Sequence, residues 1–212
     1  MNQVISDFDS AFAALPLVAI LRGIRPAEVE AIAVELYKAG FRLIEVPMNS
    51  PDALTSIKQL SRCLPNDALL GAGTVLSAQV VAQVQDAGGR LIVMPHADCT
   101  VISAAKAANM FCVPGVATLT EAFSALSAGA DALKLFPAEL ITPTILKAMR
   151  AVLPASLRLL PVGGITPEGM ATYRQVGATG FGLGSALYAP GMSAHDVGQR
   201  ARDFVSAWQY TI

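Results

Sequence analysis

Short apolar runs alternate with longer amphipathic stretches at near-regular intervals along the chain. The runs are Leu17–Arg22, Leu43–Met48, Leu69–Thr74, Leu91–Pro95, Phe111–Pro114, Ala132–Phe136, Arg158–Val162 and Gly180–Gly184. Each is strand-length, and each is followed by a segment compatible with a helix, which predicts βαβ units and a parallel sheet. The intervening segments end at Gly40, Pro65, Gly88, Asn109, Gly129, Pro154 and Gly177. Gly and Asn tolerate the left-handed position after a helix, and Pro cannot continue one. Ser50-Pro51, Thr142-Pro143 and Thr166-Pro167 each place a capping hydroxyl before a proline in a first helical turn. Thr118 and Glu121 have the spacing of a capping box. Eight strand–helix units average about 25 residues each, close to the lower limit for the fold. The expected architecture is an α/β (β/α)8 TIM barrel, a single domain over 1–212, with a short helix at Val4–Leu15 closing the bottom. A doubly wound sheet is the structural competitor.

Alternation within the strands puts three charges where a sheet is otherwise apolar. In Ala132–Phe136 the leucines at 133 and 135 share one face and Lys134 takes the other. Glu45 lies opposite Ile44 and Val46, and Arg22 ends its own run. All three fall toward the C-terminal ends of strands, where barrel enzymes build their active sites. Burial lowers the pKa of a lysine, and the neutral amine that results attacks ketones to form an imine. Glu45 suits the accompanying proton transfers, and the Arg22 guanidinium suits a substrate carboxylate. Thr74 offers a hydroxyl beside them. The competing view is that Lys134 and Glu45 form a structural ion pair, since such pairs also perturb pKa values.

Two glycine turns close the last two strands, Gly163-Gly164 and Gly184-Ser185. Barrels often bind phosphate with the loops after strands seven and eight, where backbone N–H groups approach an anion closely. The same glycines also suit tight turns with no ligand. Phe136 stands next to this region, either to pack over a bound imine or as core; Trp208 reads as packing.

Composition narrows the choice. Hydrophobic residues make up 53% and charged residues 15%, which implies much buried surface, a subunit interface included. Fifteen basic residues face sixteen acidic ones, which gives no electrostatic case for nucleic acid or an anionic membrane. Ala11–Leu21 is apolar but contains Pro16 and is too short to span a bilayer. No secretory signal is expected. Cys63, Cys99 and Cys112 are odd in number with no CxxC spacing, so reduced thiols in a cytoplasmic protein are expected rather than disulfides or zinc. His96 follows the fourth strand within reach of the site, but neither it nor His195 belongs to a metal-binding pattern.

Six segments together resemble the 2-keto-3-deoxy-6-phosphogluconate/galactonate (KDPG/KHG) class I aldolase family. They are Ala-Ile-Leu-Arg-Gly-Ile (19–24), Ile-Glu-Val-Pro-Met-Asn-Ser (44–50), Gly-Ala-Gly-Thr-Val-Leu (71–76), Leu-Lys-Leu-Phe-Pro-Ala-Glu (133–139), Val-Gly-Gly-Ile (162–165) and Gly-Leu-Gly-Ser (182–185). The resemblance implies cleavage of a phosphorylated 2-keto-3-deoxy sugar acid to pyruvate and glyceraldehyde 3-phosphate, with no cofactor or metal, in a homotrimer. It implies Lys134 as the Schiff-base lysine and Glu45 as the general acid/base. It places Arg22 and Thr74 near the pyruvyl carboxylate, and Gly163, Gly164, Gly184 and Ser185 around the phosphate. Val162 stands where gluconate-type members often carry a threonine that meets the C4 oxygen, and Met48-Asn49-Ser50 replaces their Leu-Arg-Thr; both resemble the galactonate side of the family. Met94 departs from the small hydroxyl residue often found before Pro95, which puts substrate contacts at strand four in question. The alternatives are the gluconate or 4-hydroxy-2-oxoglutarate activity, a phosphate-binding barrel isomerase or synthase without a Schiff base, and a non-catalytic sensor of sugar phosphates.

Overall fold

A computed structural model of the chain describes residues 2–210, with side chains from residue 8 onward; positions 1, 211 and 212 of the expected domain lie outside the described residues. The elements alternate along the chain: α1 (Asn2–Ala14), β1 (Leu17–Ile20), α2 (Pro26–Ala39), β2 (Leu43–Pro47), α3 (Ala53–Cys63), β3 (Leu69–Gly73), α4 (Ala78–Asp86), β4 (Leu91–Val93) and α5 (Cys99–Ala107). They continue with β5 (Phe111–Val113), β6 (Gly115–Val116), α6 (Leu119–Ser127), β7 (Leu133–Leu135), α7 (Pro143–Arg150), β8 (Leu159–Pro161), α8 (Met170–Arg174), β9 (Phe181–Leu183) and α9 (Ala194–Tyr210). Every predicted run contains a strand. All strand pairs are parallel, in a six-stranded sheet ordered β5-β4-β3-β2-β1-β9 that curls as half a barrel, and a three-stranded sheet ordered β6-β7-β8.

The fifth predicted strand ends at Val113, and a short further strand that the sequence did not predict, Gly115–Val116, follows Pro114. Proline brings no N–H to a ladder, and the pairing changes partner there, β5 to β4 and β6 to β7. The Pro114 carbonyl still accepts the Lys134 N–H at 2.9 Å.

Strand alternation sorts the core into two clusters. Leu17, Ala19, Ile44, Val46, Leu133, Leu135 and Phe181 face outward into the main cluster with helix residues such as Ile32, Leu36, Ile57 and Phe204. Val18, Leu43, Leu69, Leu91, Val93, Phe111, Val113 and Leu160 face inward, joined by Phe8 and Ala11 of α1. The Phe8 ring stacks on Phe111 with centroids 4.8 Å apart, and Arg158 pairs with Asp9 at 2.6 Å. Thus α1 packs against the N-terminal ends of the strands and leaves their C-terminal ends open.

The helix ends follow the punctuation. Gly40, Gly88, Asn109, Gly129 and Gly177 all have positive φ. Thr118 Oγ1 accepts from the Glu121 N–H while the Glu121 carboxylate accepts from the Thr118 N–H, completing the capping box. Two starts differ. α3 begins after Asp52, and Ser50 is no cap; its hydroxyl accepts the Gly23 N–H at 2.9 Å, because the intervening turn carries it toward the loop after β1. Thr166 caps only a turn, accepting from the Gly169 N–H, and α8 starts at Met170. Thr142 does precede α7, with Pro143 at its first position, but makes no side-chain cap. Among the described residues no helix is long and apolar enough to cross a membrane.

Candidate active site

The inward face of the strands changes character toward their C-terminal ends. Ile20, Arg22, Lys134, Phe136 and Val162 surround a cavity of about 150 Å³, whose remaining wall is Gly163, Gly164 and Ile165 with Gly184, Ser185 and Ala186. Arg22, Lys134, Phe136, Val162 and the four cradle residues are thus brought together as the sequence predicted. A larger cleft of about 510 Å³ lies elsewhere, lined by Ser61, Pro65, Asn66 and Arg90 among others. Its arginine donates to the carbonyls of Asn66 and Ala68.

Lys134 sits in the middle of β7, 4% exposed, between two leucines that face the helices. Its Nζ lies 4.5 Å from the centroid of the Phe136 ring. Burial holds its pKa below the ordinary lysine range; Glu45 pulls it upward and Arg22 lowers it further. Glu45, 1% exposed on β2, is pushed by burial up to about 7, against the lowering influence of Lys134 and Arg22. Its Oε2 has no hydrogen-bond partner. No hydrogen bond or ion pair joins the two side chains, so the structural ion pair that the sequence left open lacks its contact. A buried, unpaired lysine and a carboxyl that titrates near neutrality form an acid/base pair whose members sense each other across space.

Small residues make room for this pair. The register places Glu45 beside Gly71, and its side chain leans along the sheet over Gly73. A Cβ at position 73 would overlap the Glu45 carboxylate.

The glycine turns divide into two kinds. Gly163 and Gly164 both have positive φ, 118° and 60°, and a Cβ on Gly163 would overlap the Glu139 carboxylate. Their identity follows from the turn itself. Gly184 is different: its φ is not left-handed and a Cβ there would meet nothing within 4 Å. No contact or backbone angle within the fold requires glycine at 184.

Other predicted positions lie apart. Thr74 follows β3 with φ 55°, unusual for a β-branched residue, and is outside the cavity wall. His96 is exposed. Met94 points into the outer cluster, its sulfur 3.8 Å from Cys112 Sγ, so its side chain faces away from the site. Trp208 packs edge-on against Phe181 beneath Arg174. Asn49 was noted in the sequence only as a departure from arginine; it accepts a hydrogen bond from Arg22 at 3.0 Å. Gly73 was also unassigned, although its parity with Gly71 and Leu69 marks an inner face stripped of side chains beside Glu45. Among the described residues no group of three or more His, Cys, Asp or Glu side chains is placed to hold a metal.

Comparison with known proteins agrees with this geometry. The chain is 47% identical over 193 residues to a probable 2-dehydro-3-deoxy-6-phosphogalactonate aldolase of Rhizobium meliloti (strain 1021), covering 91% of each sequence. A solved structure described as native KDPGal superposes with a TM-score of 0.91 at 44% identity, over 93% of this chain and 96% of that one. The KDPG aldolase of Legionella pneumophila, solved with pyruvate captured at low pH as a covalent carbinolamine, superposes with a TM-score of 0.79 at 25% identity, over 91% and 95%. The KDPG and KHG aldolase family matches residues 8–201, and the chain belongs to that family.

Proposed function

We propose that this chain is a class I aldolase that cleaves 2-dehydro-3-deoxy-6-phospho-D-galactonate to pyruvate and D-glyceraldehyde 3-phosphate. The observation that supports it most is Lys134, buried and unpaired at the cavity wall with a lowered pKa. Its neutral amine attacks the C2 ketone, giving a carbinolamine that loses water to form an iminium. The iminium accepts the electron pair of the C3–C4 bond as the Glu45 carboxylate removes the C4 hydroxyl proton, and glyceraldehyde 3-phosphate leaves. The enamine takes a proton at C3 from the same carboxyl, and water releases pyruvate. A carboxyl with a pKa of about 7 suits both halves, since it gives and takes a proton near neutrality. The electron sink is the iminium itself, so the scheme needs no metal.

In this scheme Arg22 binds the substrate carboxylate, with Thr74 nearby, and Phe136 packs over the imine. Gly163, Gly164, Gly184 and Ser185 receive the phosphate through backbone N–H groups. Gly184 supports that role best, because open space at its Cβ leaves ligand approach as the reason for glycine. Val162, on the cavity wall, offers C4 a methyl where a hydroxyl would favour the other epimer. The greater likeness to the KDPGal protein, 44%, than to the Legionella KDPG aldolase, 25%, supports the same choice.

The full architecture we infer is one closed (β/α)8 barrel spanning a single domain. Supporting it, β5 runs on through Pro114 into β6, a parallel bridge joins Val162 to Gly182, and α1 plugs the lower end with Phe8. We place the enzyme in the cytoplasm, in keeping with its free Cys63, Cys99 and Cys112. We assign it a homotrimer, which would cover some of the exposed apolar side chains such as Leu76, Phe123, Leu140 and Val152.

The test combines turnover with trapping. Steady-state cleavage of the two C4 epimers should favour galactonate; a clear gluconate preference would reassign the substrate and leave the class standing. Incubation with pyruvate followed by borohydride should add a reduced pyruvyl group to Lys134 by mass spectrometry, with none in Lys134→Arg. Absence of that adduct under turnover conditions would overturn the Schiff base.

A further inference from the structure

The loops after β1 and β2 are joined by two consecutive hydrogen bonds. Arg22 Nη1 donates to Asn49 Oδ1 at 3.0 Å, and the next residue, Gly23, donates its N–H to Ser50 Oγ at 2.9 Å. Ser50 is 7% exposed, so the second bond anchors one loop to the other out of solvent. On its other side Gly23 is confined by Pro190: a Cβ at 23 would lie 2.8 Å from Pro190 Cγ, and its φ is 81°. The backbone from which Arg22 springs is therefore held from two directions.

The side chain is held separately. Arg22 is exposed and lines the cavity with Lys134. A free arginine carries much rotamer entropy, which must be given up when it grips a ligand. Among the described residues its single side-chain hydrogen bond is to Asn49. An amide oxygen accepts one guanidinium N–H without offsetting the charge, and the remaining donors stay available. An acidic residue would hold the arginine as well but would neutralise it.

We propose that Asn49 is a positioning residue for the substrate carboxylate, acting through Arg22, with Ser50 anchoring the loop that presents it. The proposal rests on the assignment of Arg22 as the carboxylate ligand. A neutral tether also preserves the positive charge that lowers the pKa of both Lys134 and Glu45.

The experiment compares borohydride trapping on Lys134 with pyruvate and with acetone, a ketone lacking the carboxylate, in wild type, Arg22→Ala, Asn49→Ala and Asn49→Asp. The ratio of pyruvate to acetone trapping isolates carboxylate recognition from amine reactivity. It should fall about tenfold in Asn49→Ala and about a hundredfold in Asn49→Asp, the sizes expected for a loosened and a neutralised charged hydrogen bond. The pH of half-maximal trapping should rise in Asn49→Asp and in Arg22→Ala but not in Asn49→Ala, because only the first two offset or remove the positive charge beside Lys134. A role confined to holding the fold would leave the ratio unchanged in Asn49→Ala. If both Asn49 variants keep the wild-type ratio while Arg22→Ala loses it, Asn49 does not position Arg22, and the Arg22 assignment survives. If Arg22→Ala keeps the ratio, the carboxylate assignment fails and the role of Asn49 falls with it.

Discussion

Replacing Glu45 with glutamine should change how stability depends on pH. In the folded protein burial raises the Glu45 carboxyl from the ordinary 4.5 to about 7. Folded chains therefore hold this proton across a window in which unfolded chains have lost it, and stability falls as pH rises through that window. The window spans roughly 2.5 pH units, and at about 1.4 kcal/mol per unit it corresponds to about 3 kcal/mol lost by the wild type. Glutamine has nearly the same shape and cannot titrate. Urea denaturation at about pH 5 and about pH 8, at one protein concentration so that association contributes equally, covers all but the acid edge of that window and should show the wild type losing about 2.5 kcal/mol relative to Glu45→Gln. The variant should be flat or rise with pH. Losing the carboxylate removes the attraction that raises the Lys134 pKa, and a lysine with a depressed pKa loses stability as pH falls. Pyruvate trapping in Glu45→Gln should for the same reason persist to lower pH, although turnover fails. Parallel pH dependences, with the two proteins keeping a constant gap within about 0.5 kcal/mol, would refute the claim that burial, rather than an ion pair, sets the Glu45 pKa.

Three further outcomes follow from the cavity. Gly184→Ala meets no atom within 4 Å and should melt as the wild type does, yet raise KM for the phosphorylated substrate about tenfold or more with pyruvate trapping unchanged; an unchanged KM would remove Gly184 from the phosphate site. Val162→Thr supplies a hydroxyl at the cavity wall and should shift the ratio of kcat/KM for the two C4 epimers about tenfold toward gluconate, measured by coupled assay. Gly73→Ala drives a methyl into the Glu45 carboxylate; it should cost about 1–3 kcal/mol of stability by overpacking and about a hundredfold in kcat by displacing the proton carrier. Retained kcat in Gly73→Ala would mean that Glu45 works from another position.

Much of the fold was legible because parallel strands buried on both faces must be short and apolar, and because glycines and prolines end helices for local steric reasons. Residue parity alone turned Lys134 and Glu45 inward, and it would also have turned Met94 outward, since Val93 beside it is an inner residue. Position 50 shows where local rules stop. A serine before a proline is a sound cap in isolation, but the turn after β2 gives its hydroxyl a backbone partner 27 residues away. The Arg22–Asn49 bond was equally invisible, because it depends on two loops whose relative placement no spacing encodes. The lack of contact between Lys134 and Glu45 was also beyond sequence: opposite charges on one face suggest a pair, yet no hydrogen bond or ion pair joins them.

The apolar floor beneath Lys134 gives α1 a reach well beyond its own position. Below the lysine, Val18, Val93, Val113 and Leu160 line a void of only about 10 Å³, above the stacked rings of Phe8 and Phe111. The cavity that Lys134 shares with Arg22 lies on the opposite side, toward the C-terminal ends of the strands. A helix at the far pole of the molecule thus helps to bury the nucleophile, and loosening it would weaken the burial that holds the lysine's pKa down. Reactivity at one end is in this sense supported from the other, by an element that touches no substrate.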